Sequence, residues 1–181
     1  MQLRLARVAV AATALTLGLA ANAPAARQSE CGGPGHATSA QDATWLTTGI
    51  QGDRFEIIGG TAARSKGATP AMQAFGARLV QDHAKSLRDA VRAARRFDVD
   101  VPKTPSPSEQ WELRTVGSFT GAAFDRSYAD LEVQDHIQDI QETKDEISEG
   151  CNGTVRGLAR DDLPILRQHL RIARQLKASG V

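Results

Sequence analysis

After its first 20 or so residues the chain has no apolar run near the roughly 20 residues that a membrane-spanning helix needs. Ten-residue stretches of alternating polarity are also missing, so the sequence offers no outer-membrane barrel. Neither sign of charge is in excess, with 22 Lys and Arg against 21 Asp and Glu. That leaves no electrostatic footprint for nucleic acid or anionic lipid. There is no G-x-S-x-G, no Gly-rich phosphate loop and no context for a catalytic cysteine, and the reading leans away from an enzyme. Methionine is scarce: Met72 is the only one besides Met1, which leaves thioether copper carriage unsupported. Internal repeats and low-complexity tracts are absent.

What is present begins with an address. Arg4 and Arg7 precede an apolar run of about 13 residues, followed by Ala21, Asn22, Ala23, Pro24, Ala25 and Ala26. Residues 1–26 therefore read as a signal peptide with a small-residue cleavage region, the run being too short to span a membrane. Gln28, Ser29 and Glu30 before Cys31 do not suit a lipoprotein anchor. Cleavage would leave one domain of about 155 residues, exported to the periplasm or beyond, without a membrane span. Losing Arg4 and Arg7 would leave 20 basic residues against 21 acidic ones. Residues 27–40 read as a flexible leader in which His36 is solvated.

Helical periodicity dominates the rest. Residues 41–67 carry an apolar stripe of Trp45, Leu46, Ile50, Ile57 and Ile58. Beside it runs a strip of Gly49, Gly52, Glu56, Gly59 and Ala63. Glycines in a helix cost roughly 1 kcal/mol each against alanine, which predicts close approach by a neighbouring helix. Thr69 and Pro70 start a second helix reaching Phe97, with Met72, Phe75, Leu79, His83, Leu87, Ala90 and Ala94 on one face. Ser106, Pro107 and Glu109 form a capping-box start for a short helix holding Trp111, Leu113 and Val116. A long helix is expected from an N-cap at Ser118 to a stop at Gly150, with Ala129, Val133, His136, Ile140 and Ile147 on one face. The last helix, residues 154–178, presents Val155, Leu158, Leu166, His169, Ala173 and Leu176, with Pro164 inside it. The fold class is all-α.

The segments EIIGGTAARS, FGARLVQDH, FDRSYADLEVQDH and LPILRQHLRIA, in this order within residues 41–178, resemble a bacterial secreted family of ferritin-like four-helix proteins. That family is of unknown function, and its members are often labelled outer-membrane proteins. The resemblance implies export and a ferritin-like four-helix bundle whose long crossover carries a short extra helix. It implies no activity. Ferritin-like di-iron proteins use Glu-x-x-His pairs; no Glu of this chain is followed three positions later by His, so that centre is not expected. A signal peptide favours a Cys31–Cys151 disulfide. An up-down-up-down bundle would separate these cysteines, whereas the crossover arrangement brings both to one end. Residues 98–117 can cross back over about 48 Å. Closing a loop of about 120 residues is worth roughly 4–5 kcal/mol in the chain-entropy model.

Counting from the turns picks out candidate site residues. Glu56 lies 12 residues before Ala68 and His83 lies 15 after it; His136 lies 16 before Asn152 and His169 lies 17 after it. At about 1.5 Å per residue each pair is level within about 5 Å. Three imidazoles and a carboxylate suit Zn, Cu, Ni or Fe better than Ca or Mg. The candidate is one transition-metal ion held by His83, His136 and His169, with Glu56 as fourth ligand or supporting group. Asp82 and Asp135, one residue before their histidines, point about 100° away and read as helix-surface residues. Pro164 would free a carbonyl to orient the His169 ring. Asp125, about 16 Å along the axis from His136, reads as half of a structural ion pair with Arg64, Arg78 or Arg171. The leading functional expectation is a structural or partner-interaction domain of the cell envelope, open to a protein partner or a second copy. Its histidines would then be satisfied core residues, bonded to Glu56, Tyr128 or each other. The alternative is a small-ligand or mononuclear metal-binding protein with its site at the bundle midplane.

Overall fold

A computed structural model describes Cys31 and residues 38–180; the signal peptide and His36 lie outside the described residues. Five helices and no strand occur among them: α1 (Ala40–Lys66), α2 (Pro70–Arg96), α3 (Pro107–Gly117), α4 (Gly121–Glu149) and α5 (Gly153–Ala178). None is long and apolar enough to cross a membrane. Their starts follow side-chain chemistry. Ser39 and Asp42 form a capping box on α1, Thr69 caps α2 ahead of Pro70, and Ser106 and Glu109 box α3. The Asn152 side chain accepts from Thr154 N and Val155 N at the start of α5. One expected cap is displaced. Ser118 ends α3, its amide donating to Thr115 O, and α4 begins after Thr120, which makes no side-chain cap bond. Gly121, at φ 58, turns the chain there, a conformation that costs glycine little.

The helices α1 and α2 form one antiparallel hairpin and α4 and α5 the other, with α1 packed on α4 and α2 on α5. Two buried aspartates lock the hairpins together. Asp125 of α4 accepts from Ala68 N at 2.9 Å, Thr69 N at 3.1 Å and Thr69 Oγ1 at 3.1 Å, in the α1–α2 turn. Asp42 of α1 accepts from Cys151 N at 3.1 Å and Asn152 N at 3.0 Å, in the α4–α5 turn. The start of α4 therefore sits beside the end of α1, and the connection through α3 must run back along the bundle. Arg54 Nε donating to Pro102 O and Lys66 Nζ donating to Gly117 O pin it against α1. Cys31 and Cys151 form a disulfide, with Cα atoms 5.1 Å apart. Asp125 is thus a clamp on backbone amides and makes no ion pair with an arginine among the described residues, because the turn's free N–H groups reach it first.

The apolar core has two parts. One holds Met72, Phe75, Leu79, Phe124, Tyr128 and Ala173 among others; the second holds Trp45, Leu46, Ile50, Ala94, Val155 and Ala159. The close α1–α2 approach falls at Gly60, beside the expected strip. A Cβ on Gly60 would lie 2.8 Å from Gly76 O, and one on Gly76 would lie 2.6 Å from Arg64 N, so the α1–α2 approach requires both glycines. Gly49 and Gly52 have no such neighbour. Burial also departs from the expected stripe on α1. Ile58 is 50% exposed, and Asp53, Phe55 and Glu56 face inward instead. On α3 only Val116 is buried, Trp111 being 61% exposed.

Two stability tests follow from the clamps. Asp125→Ala strands buried amide donors and is expected to cost about 2–3 kcal/mol in a denaturant titration. At the other end Glu146 is buried beside Asp42. Burial first, then the Asp42 carboxylate, pushes its carboxyl up from 4.5 to about 8. The folded state keeps this proton where the unfolded chain has lost it, so the group's contribution to stability falls as pH rises through that window. Glu146→Gln should accordingly match the wild-type melting temperature near pH 5 and exceed it near pH 8.

Candidate functional site

Between the two parts of the apolar core lies a polar layer. His83 from α2, His136 from α4 and His169 from α5 are all buried, with ring centroids 5.2, 5.3 and 6.0 Å apart. Each ring is oriented through one nitrogen. His83 Nδ1 donates to Asp53 Oδ1 at 2.9 Å, and His169 Nε2 donates to Asp82 Oδ2 at 2.9 Å. His136 Nδ1 donates to Glu132 O, one turn back on its own helix, at 3.0 Å. The remaining nitrogens, His83 Nε2, His136 Nε2 and His169 Nδ1, are buried without a hydrogen-bond partner among the described residues. One nitrogen from each ring lies within 4.8 Å of the others.

The electrostatics keep lone pairs available. Burial, then repulsion from His83 and His169, holds His136 well below the usual imidazole range. Burial and His83 bring His169 down to about 4, against the pull of Asp82. Neutral rings with one anchored N–H are the form that ligates metals.

Glu56 is fully buried, as its place in the glycine strip allowed, but it does not join the three rings. It groups with Asp135 and His136, within 4.8 Å, and its Oε1 is 3.5 Å from His136 Nδ1. Glu132 Oε2 is 3.4 Å from the same nitrogen. Burial, then mutual repulsion, pushes the Glu56 carboxyl well up; burial and Asp135 push Glu132 up to about 8. Asp135, raised to about 6 chiefly by burial, belongs to this layer. Asp82 orients His169, the task expected of a carbonyl freed by Pro164; α5 runs unbroken through that proline. Both aspartates, expected on the helix surface, turn inward: Asp82 reaches His169 and Asp135 Oδ2 is buried. Asp53 and Glu132 were not singled out from sequence, although Asp53 is three residues after Ile50 and Glu132 four before His136, on the same faces. Beside His83 a cavity of about 60 Å³ reaches Gly49, Gly52, Asp53, Asp139 and Asp162, room for a few waters.

The fold and this layer define an all-helical bundle with a histidine- and carboxylate-lined interior. The chain belongs to the family described as a domain of unknown function (DUF4142), whose model matches residues 27–176. Among solved structures it is similar to a DUF305 fragment from Deinococcus radiodurans, with a TM-score of 0.70 and 11% identity over 79% of this chain and 99% of that one. At that identity the likeness speaks for the fold alone. No curated protein matches the chain.

The walls of the layer can be probed through two glycines. A Cβ on Gly59 would lie 2.7 Å from the Tyr128 hydroxyl and 3.0 Å from its ring, while one on Gly49 meets nothing within 4 Å. Gly59→Ala is expected to lower stability by about 1–3 kcal/mol. Gly49→Ala, at an unobstructed helical position, is expected to raise it by about 0.5–1 kcal/mol, both read from chemical unfolding.

Proposed function

We propose that this protein binds a transition-metal ion inside its bundle, with His83 Nε2, His136 Nε2 and His169 Nδ1 as ligands. The observation that carries this reading is the division of labour in the three rings. Each buried imidazole has one nitrogen fixed by an oxygen acceptor and the other buried without a partner, and one nitrogen from each ring lies within 4.8 Å of the other two. Carboxylate–histidine pairs of the Asp53–His83 and Asp82–His169 kind fix the tautomer and make the ring a better donor to metal. A purely structural core would satisfy both nitrogens or replace the rings with apolar side chains. Ligation at 2.0–2.1 Å needs nitrogens about 3.3–4.2 Å apart, so the rings close by at most about 1.5 Å. Three imidazoles favour zinc or copper over magnesium or calcium, and the cavity beside His83 leaves room for a water or small anion in a fourth position. Export to the periplasm or beyond after cleavage of residues 1–26 is part of the same reading, supported by the Cys31–Cys151 disulfide. A ferritin-like label suits the crossover connection and its short α3 helix.

The test is metal titration of the full chain, untagged and stripped with chelator. At a hundredfold excess over the dissociation constant, zinc or copper is expected to raise the melting temperature by about 5–10 °C. His83→Ala, His136→Ala and His169→Ala should each reduce the shift, and Asp53→Asn should weaken binding about 10- to 100-fold. A melting temperature indifferent to both metals would sink the proposal.

A further inference from the structure

His136 has a second set of neighbours. Its Nδ1 faces Glu56 Oε1 at 3.5 Å and Glu132 Oε2 at 3.4 Å. These are close to the ~3.3–3.4 Å edge of a tetrahedron of ligands drawn around an ion at 2.0–2.1 Å. Glu56, Asp135 and His136 each offer a ligand atom within 4.8 Å of the other two. Both oxygens of Glu56, both of Glu132 and Asp135 Oδ2 have no hydrogen-bond partner among the described residues, and neither does the buried Tyr128 hydroxyl. Glu56 and Glu132 are wholly inaccessible to solvent. Among the described residues no lysine or arginine makes a salt bridge to either carboxylate.

We infer that Glu56, Glu132, Asp135 and His136 Nδ1 form a second divalent-cation site, so that His136 is the ring shared between two neighbouring ions. The inference rests on the three-imidazole reading for the first ion. Loading the second site replaces the N–H bond from His136 to Glu132 O with a bond from Nδ1 to the ion, and that proton leaves to bulk water together with those that burial keeps on Glu56 and Glu132. The donor set of three carboxylates and one nitrogen suits manganese, ferrous iron or zinc better than copper(I). A route in is present. Asp135 also lines a surface groove under α3, together with Glu109, Glu112, Asp139 and Glu142, and no basic side chain lines it. Such a concentration of one charge in a cleft raises the local cation concentration and the rate of loading.

The two sites are separable by stoichiometry. Full-length, untagged, chelator-stripped protein in equilibrium dialysis against zinc is expected to bind two ions per chain. Glu56→Gln combined with Glu132→Gln should bind one, with the cobalt(II) visible spectrum of the three-imidazole site retained. Asp135→Asn, at a position only partly buried, should weaken the second ion at least about tenfold while leaving the first untouched, and it serves if the double variant fails to fold. His83→Ala combined with His169→Ala should bind one ion, now lost on Asp135→Asn. A wild-type stoichiometry of one that vanishes in the histidine variant overturns the second site and keeps the first. Two ions persisting in the double carboxylate variant also overturn it. One ion that survives the histidine variant but not the carboxylate variant overturns the three-imidazole site instead. No binding overturns both.

Discussion

The constraint on which this fold turns is a layer of acids and imidazoles set between two apolar cores. Two ionised carboxylates about 4 Å apart would repel by about 4 kcal/mol even at an effective dielectric of 20. Glu56, Glu132 and Asp135 crowd one ring, so Glu56 and Glu132 hold their protons above the usual carboxylate range. Such a layer pushes helices apart unless something holds them. The surrounding sequence supplies the restraint through the Gly60–Gly76 approach, the disulfide, and the two aspartate clamps at opposite ends.

Those clamps also explain why the site residues are level. Asp42 and Asp125 each belong to one hairpin and bind the backbone of the other hairpin's turn. Exchange in both directions fixes the turns as reference points at the two ends of the bundle. A residue's height then follows from its distance to its own turn at 1.5 Å per residue. His83, His136 and His169, each about 15 to 17 residues from a turn, therefore arrive at one plane.

That regularity is why the histidine triad was legible in the sequence, along with the five helices, the disulfide and the crossover. What stayed hidden was polar. Periodicity follows apolar residues, and at mid-height on α1 the inward positions are Asp53 and Glu56, so the stripe appeared to swing toward Ile57 and Ile58. Glu132 is masked for the same reason, and Asp82 because a position 100° from its neighbour's face looks solvent-directed. Its side chain reaches His169 all the same. Asp125 was located correctly but given arginine partners, since charge complementarity is visible in a sequence and unfilled backbone donors in a turn are not.

The cost of the layer bears on its purpose. Replacing buried ionic groups by apolar ones of similar size often stabilises a protein, so a bundle selected for rigidity alone would be better served by leucines. Glu56, Glu132 and Asp135 make no salt bridge to a lysine or arginine among the described residues, whereas Asp82 has Arg78 at 3.3 Å. On the two-ion reading, Glu56, Glu132, Asp135 and a bridging His136 imidazolate would carry four negative charges against two divalent cations. Repulsion among the acids would become ligation, with further lone pairs from His83 and His169. The same groups that make the metal-free bundle costly would then make the loaded one stable, which ties the tightness of the fold to occupancy of its interior.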